Sequence, residues 1–251
     1  MRIIDFHTHP FLTTDDSLEW YREELLLGKD EFRSFEEKLG ISRVCGSIIK
    51  RGLTPAEMVR RANDDTLALM DEWKGFYFGG MQVHPDCVGL SLSEIVRMHS
   101  AGVRLIGEIT PYIHGWKDYS DPRFSEILDL AAEKEMILSF HRADNMEKMI
   151  ADHPRLTIVK AHPGEGALLD ELIGLMKRND NLYIDISGNG YDRLGMLRRL
   201  IDRVGAERIL FGSDLPINNP ATALACVMSE PLTDRERELI LSGNAERLLG
   251  I

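Results

Sequence analysis

At 251 residues the chain is short enough for one hydrophobic core and close to the roughly 250 residues typical of an eight-stranded α/β barrel. Its 41 acidic residues against 30 basic give a net charge of −11, with no block of Lys or Arg, which argues against nucleic acid or an anionic membrane as partner. The 43% hydrophobic, 28% charged composition is that of an ordinary globular protein, and no stretch approaches the roughly 20 apolar residues of a membrane span.

In chain order, short β-rich runs alternate with longer amphipathic stretches, the pattern of parallel strands joined by crossover helices. The chain enters the first run at Ile3 to His7 without the charged start and cleavage site of a signal peptide, and Cys45, Cys87 and Cys226 are too widely spaced for a disulfide framework. A cytoplasmic protein with reduced thiols is expected. The connection from Ser17 to Leu39 is the longest, rich in Glu, Leu and aromatics, and predicts an extra helix near the barrel mouth. Arg43 to Ile49 is the second run. Thr54-Pro55-Ala56-Glu57 then opens a helix, since Thr can cap, Pro fits the first turn and Glu can bond back.

The remaining runs are Phe76 to Val83, Val103 to Ile109, Ile137 to His141, Leu156 to Ala161, Leu182 to Ile186 and Arg208 to Gly212. Asp121-Pro122 and Thr233-Asp234-Arg235-Glu236 carry further helix starts. No linker, repeat or low-complexity tract divides residues 1–251, so one α/β domain is expected, a (β/α)8 TIM barrel with a helical insertion after the first strand. An open doubly wound sheet would show the same alternation. It would place a glycine-rich turn after the first strand, where this chain has His-Thr-His.

The strand ends carry the chemistry. In Asp5-Phe6-His7-Thr8-His9 two imidazoles stand two residues apart, on one face of a strand, where both can reach one ion. His141, His162 and Asp214 close the fifth, sixth and eighth runs, and in barrel enzymes the carboxyl ends of different strands converge on one face. Glu108 ends the fourth run after a glycine. It reads either as a metal ligand or bridge, or as a buried acid paired with Lys160 or Arg142. Arg142 suits a bidentate hold on a substrate carboxylate or a surface ion pair. His84 reads as a structural histidine before a pocket residue, Tyr112, His114 and Trp116 as a pocket wall or loop packing, and His99 and His153 as surface residues on helices.

Taken together, Asp5 to His9, Ile106-Gly107-Glu108, Phe140-His141, Ala161 to Gly164, Tyr183 to Ser187, Ile209 to Pro216 and the terminal Gly243 to Gly250 resemble the amidohydrolase superfamily, specifically its amidohydrolase-related (amidohydrolase 2) group of hydrolases and decarboxylases. The resemblance covers essentially the whole chain. It implies that His7, His9, His141 and Asp214 match the family's metal ligands, with His162 either completing a second metal site or serving as acid/base. Glu108 stands where many two-metal members carry a modified lysine; this resembles the deoxyribonuclease-like branch, in which a glutamate occupies the place and two metals are held, and it leaves one or two ions open.

A divalent ion, zinc being the first expectation, would lower the pKa of water toward about 7 and polarise a carbonyl. Hydrolysis of an amide, a lactone or another ester of a small molecule is therefore expected, with Asp214 carrying the proton as the resemblance implies. The alternatives are nonoxidative decarboxylation of a small unsaturated or aromatic acid, with His162 as acid/base, and a catalytically silent metal-binding barrel. The expected partner is a small-molecule substrate, and a homo-oligomer is compatible with the sequence.

Overall fold

The computed structural model describes residues 2–18 and 27–251. Eight strands form one parallel sheet in sequential order: β1 (Ile4–Thr8), β2 (Arg43–Ser47), β3 (Tyr77–Met81), β4 (Leu105–Ile109), β5 (Ile137–Phe140), β6 (Thr157–Lys160), β7 (Leu182–Asp185) and β8 (Ile209–Leu210). The sheet closes on itself through the first and last strands: Phe6 N donates to Phe211 O at 2.8 Å, and beyond β8 Asp214 N donates to His7 O at 2.7 Å and His9 N to Leu215 O at 2.8 Å. The architecture is a single-domain (β/α)8 barrel.

The helices between strands are α1 (Lys29–Lys38), α2 (Pro55–Glu72), α3 (Val88–Ser100), α4 (Pro122–Glu133), α5 (Met146–Asp152), α6 (Ala167–Arg178) and α7 (Met196–Val204). After β8 come α8 (Pro220–Ser229), α9 (Asp234–Glu238), a π-turn at Leu239–Gly243 and α10 (Asn244–Leu249). The expected starts are present. Capping boxes open α2 at Thr54 and α9 at Thr233, and the Asp121 side chain accepts from Arg123 N at the start of α4. Each such cap contributes about 0.5–2 kcal/mol. No described helix is long and apolar enough to cross a membrane.

In the first connection the described residues contain a 3-10 turn at Thr14–Asp16 and α1; the rest of the expected insertion, residues 19–26, lies outside the described residues. β8 is shorter than the run Arg208 to Gly212 suggests. Its next amide, Phe211 N, donates to Ile240 O of the π-turn at 2.9 Å, so the terminal helical segment takes over where the sheet ladder stops. Asn244 fixes the same junction, donating to Ala206 O and Ile209 O at 2.7 Å each.

Apolar residues divide into two layers. Inside the barrel, Ile4, Phe6, Cys45, Leu105, Ile137, Val159 and Leu210 pack together, with Ala245, Leu248 and Leu249 of α10 against them. Between sheet and helices lies the larger layer, including Leu138, Phe140, Ile158 and Ile184 from the strands. The filled interior leaves the carboxyl ends of the strands as the place for polar chemistry. There the pairing becomes irregular. Register shifts between Asp5 and Thr8 in β1 and between Ile106 and Ile109 in β4, at His7 and Glu108, and such bulges re-aim side chains.

His153 differs from its sequence reading. It is buried at the end of α5, Nδ1 against Met149 O at 2.8 Å and Nε2 against Ser125 Oγ at 3.0 Å, because both ring nitrogens find partners between packed helices.

Candidate metal centre

Six residues from five strand ends converge at the mouth. Nε2 of His7 and Nε2 of His9 lie 3.2 Å apart. Asp214 Oδ1 stands 3.6 Å from His7 Nε2 and 3.3 Å from His9 Nε2. Glu108 Oε2 lies 3.8 Å and 3.4 Å from the same two nitrogens, and its Oε1 is 3.6 Å from His162 Nε2. Two triplets, His7–His9–Asp214 and His7–Glu108–His162, each gather their ligand atoms within 4.8 Å, and His7 belongs to both.

The sixth, His141, falls outside both triplets. Its Nδ1 lies 3.2 Å from Arg142 O, and its ring packs edge-on against His162 and Tyr112, with centroids 5.2 and 4.9 Å away. It is half-buried at the lip of a cleft of about 480 Å³, lined also by Arg142, Lys160, His162, Leu168 and Asn189.

The imidazoles are held from behind. His7 Nδ1 meets Asp185 Oδ2 at 2.9 Å, His9 Nδ1 meets Ser47 O at 3.2 Å, and His162 Nδ1 meets Ser187 Oγ at 3.0 Å. Each contact leaves Nε2 for the shared centre, the arrangement in which outer groups orient metal-ligating histidines. Close packing fixes the rings further, since a Cβ at Gly212 would sit 2.7 Å from His7 Cβ. His162 and Asp214 adopt left-handed backbone, φ 63° and 67°. Such conformations cost roughly 1–3 kcal/mol each in non-glycine residues and concentrate at functional sites.

Electrostatics point the same way. Burial disfavours a charged His7, but the Asp185 and Glu108 carboxylates outweigh it and raise the imidazole to about 10. His9 is likewise penalised by burial, yet the Asp214 and Glu108 carboxylates beside it raise it to about 9. Burial pushes Glu108 up, but His7 and His9 bring it down to about 2. Burial dominates at His162 and lowers it. The site thus gathers carboxylate charge that protons on His7 and His9 balance, and a cation entering it would displace them.

A divalent ion fits these residues. Among the described residues Glu108 Oε1 and Asp214 Oδ1 are buried without a hydrogen-bond partner, a costly condition that coordination would relieve, and the donors are imidazole and carboxylate without thiolate.

The weaker candidates separate clearly. Glu108 pairs with histidines, whereas Lys160 donates to the carbonyls of Ala161 and His162, and Arg142 reaches Glu171 at 3.0 Å with 44% of its side chain exposed. Arg142 still lines the cleft. His84 is structural: buried, with Nδ1 accepting from Asp86 N and Nε2 against His114 O. Trp116 packs on Tyr119 and Phe124, while Tyr112 is largely exposed against His141. Asp185 and Ser187 are the residues to which sequence reasoning gave no role; their signal is the strand-end position that singled out Asp214.

No curated protein matches the chain significantly. Among solved structures it is similar to 2,6-dihydroxybenzoate decarboxylase from Rhizobium, at 19% identity and TM-score 0.76 over 99% of this chain and 98% of that one. A dihydroxybenzoic acid decarboxylase from a Polaromonas species, with bound manganese and the inhibitor 2-nitroresorcinol, matches at 16% identity and TM-score 0.73 over 99% and 96%. A probable 2-pyrone-4,6-dicarboxylic acid hydrolase from Acinetobacter baumannii, with citric acid bound, matches at 15% identity and TM-score 0.71 over the whole of both chains. These likenesses carry the fold. The amidohydrolase family model of the amidohydrolase 2 group matches residues 4–251, and the chain belongs to that family.

Proposed function

We propose that the protein is a metal-dependent hydrolase that cleaves an amide, lactone or other ester bond of a small molecule. The observation that carries this reading is the pair of carboxylates, Glu108 and Asp214, each presenting a buried, unpartnered oxygen to the same imidazole cluster. His7, His9, Asp214 and Glu108 would hold the ion, with His141 turning in from the cleft as the resemblance implies, and His162 would complete a second site or act as acid/base. When bound, the ion supplies Lewis acidity toward a carbonyl and a water acidified toward about pH 7. Zinc suits the donor set, and manganese is the alternative that the Polaromonas decarboxylase brings to mind.

Asp214 would move the proton. Its Oδ2 accepts from Asn218 Nδ2 at 2.9 Å, which fixes the carboxylate plane with Oδ1 toward the imidazole cluster, and the carboxylate would take a proton from attacking water and return it to the leaving group. Arg142, at the cleft, would exchange its exposed partner Glu171 for an anionic group of the substrate.

A second reading, nonoxidative decarboxylation of a small aromatic or unsaturated acid, is favoured by His162. Its ring stands at the cleft, 3.6 Å from Glu108 Oε1, where it would pass a proton to the carbon that loses carboxylate. Two of the three structural relatives named above are decarboxylases. A panel of amides, lactones, esters and carboxylated aromatic acids, assayed for both hydrolysis and carbon dioxide, separates the two. Hydrolysis that a chelator abolishes is expected. Carbon dioxide as sole product overturns the hydrolase, and a protein inert to the whole panel favours a silent barrel.

A further inference from the structure

We propose that Asp185 and Ser187 form a positioning pair that holds hydrogen on Nδ1 of both His7 and His162, so that both imidazoles offer Nε2 to a cation at the shared centre. This rests on reading that centre as the reactive one.

Asp185 sits at the end of β7, wholly buried, and divides its two oxygens. Oδ2 faces His7 Nδ1 at 2.9 Å. Oδ1 accepts both the Ser187 amide, at 3.1 Å, and the Ser187 hydroxyl, in a very short contact. A hydroxyl has one proton. With that proton given to Asp185, Ser187 Oγ can only accept at its other contact, His162 Nδ1, 3.0 Å away. His162 must then carry its hydrogen on Nδ1. At His7, the carboxylate accepts only, so Nδ1 carries the hydrogen there as well. One carboxylate thereby governs a histidine common to both ligand triplets and, through a serine, the histidine on the far side of Glu108.

The ring of His162 is confined on other sides too. A Cβ at Gly188 would overlap the ring, and Lys160 Nζ donates to His162 O at 2.6 Å and Ala161 O at 3.0 Å, gripping the left-handed turn. Packing of this kind fixes where the ring lies. It does not choose which nitrogen carries the proton, and the Asp185–Ser187 chain does.

Ser187→Ala cuts the link to His162 and spares the one to His7. Nitrogen-15 spectra at pH 8, on chelator-treated protein with His162 assigned by comparison with His162→Gln, should show the His162 imidazole as a single Nδ1–H tautomer in the wild type. In Ser187→Ala the Nε2–H tautomer of His162 should appear while His7 is unchanged. In the zinc-loaded protein, kcat of the variant should fall about 10-fold or more with KM within about twofold, the range in which outer-shell partners act. An Nε2–H tautomer of His162 in the wild type, or a variant spectrum identical to it, overturns the proposal. The spectra do not depend on which bond is cleaved: a tautomer change in a protein that proves to be a decarboxylase supports the pair and removes only the hydrolase.

Discussion

Asp214→Asn should lower kcat by about 10²–10⁴-fold at matched metal content, the usual contribution of a general base, with far less effect on KM or on folding. The substitution keeps nearly the same volume. It also suits the backbone, because φ at this position is 67° and Asn enters the left-handed region more readily than most residues. The contact with Asn218 can be rebuilt through the amide oxygen, so the main loss is the charge on Oδ1, the atom 3.3 Å from His9 Nε2 and without a hydrogen-bond partner of its own. Melting temperature and metal content separate damage to the fold or to the ion site from damage to proton transfer. An asparagine variant with undiminished kcat contradicts the role assigned to Asp214.

Glu108→Gln should weaken metal binding by about 100-fold or more and reduce activity with it, a loss at the upper end of that seen for supporting groups, because here a full negative charge leaves the centre. Glu108 is 4% exposed and within 4 Å of His7, His9 and His162, so its charge is lost from the middle of the cluster. Chelator competition on the variant gives the affinity, and stoichiometry shows whether one of two ions is lost. A variant that keeps full metal and full rate contradicts the two-ion arrangement and favours the decarboxylase.

Much of this site was legible in the sequence, for a physical reason. Parallel strands alternating with helices must present their carboxyl ends together, so the polar residues ending each β-rich run, His7, His162 and Asp214 among them, could be assigned to one face before any coordinates. Glu108 was identifiable by the same logic, though only the fold shows it turned to histidines and not to Lys160 or Arg142.

Orientation was not legible. His141 ends its strand as expected, yet its ring leans on Tyr112 and His162 at the cleft, because side-chain direction past a strand end depends on local packing. Asp185 ends a strand too, but its part emerges only from a contact between residues 178 positions apart, with His7 Nδ1. His153 reads as a helix-surface residue until Ser125 of α4 is seen against it.

A cation held at the strand ends should be measurable by elemental analysis of gel-filtered protein never exposed to chelator. At least about one equivalent of a divalent transition metal per chain is expected, lost in a variant that replaces both His7 and His9, since those two nitrogens anchor the centre. Less than about half an equivalent of any such metal in the wild type, or undiminished metal in the double variant, would contradict it.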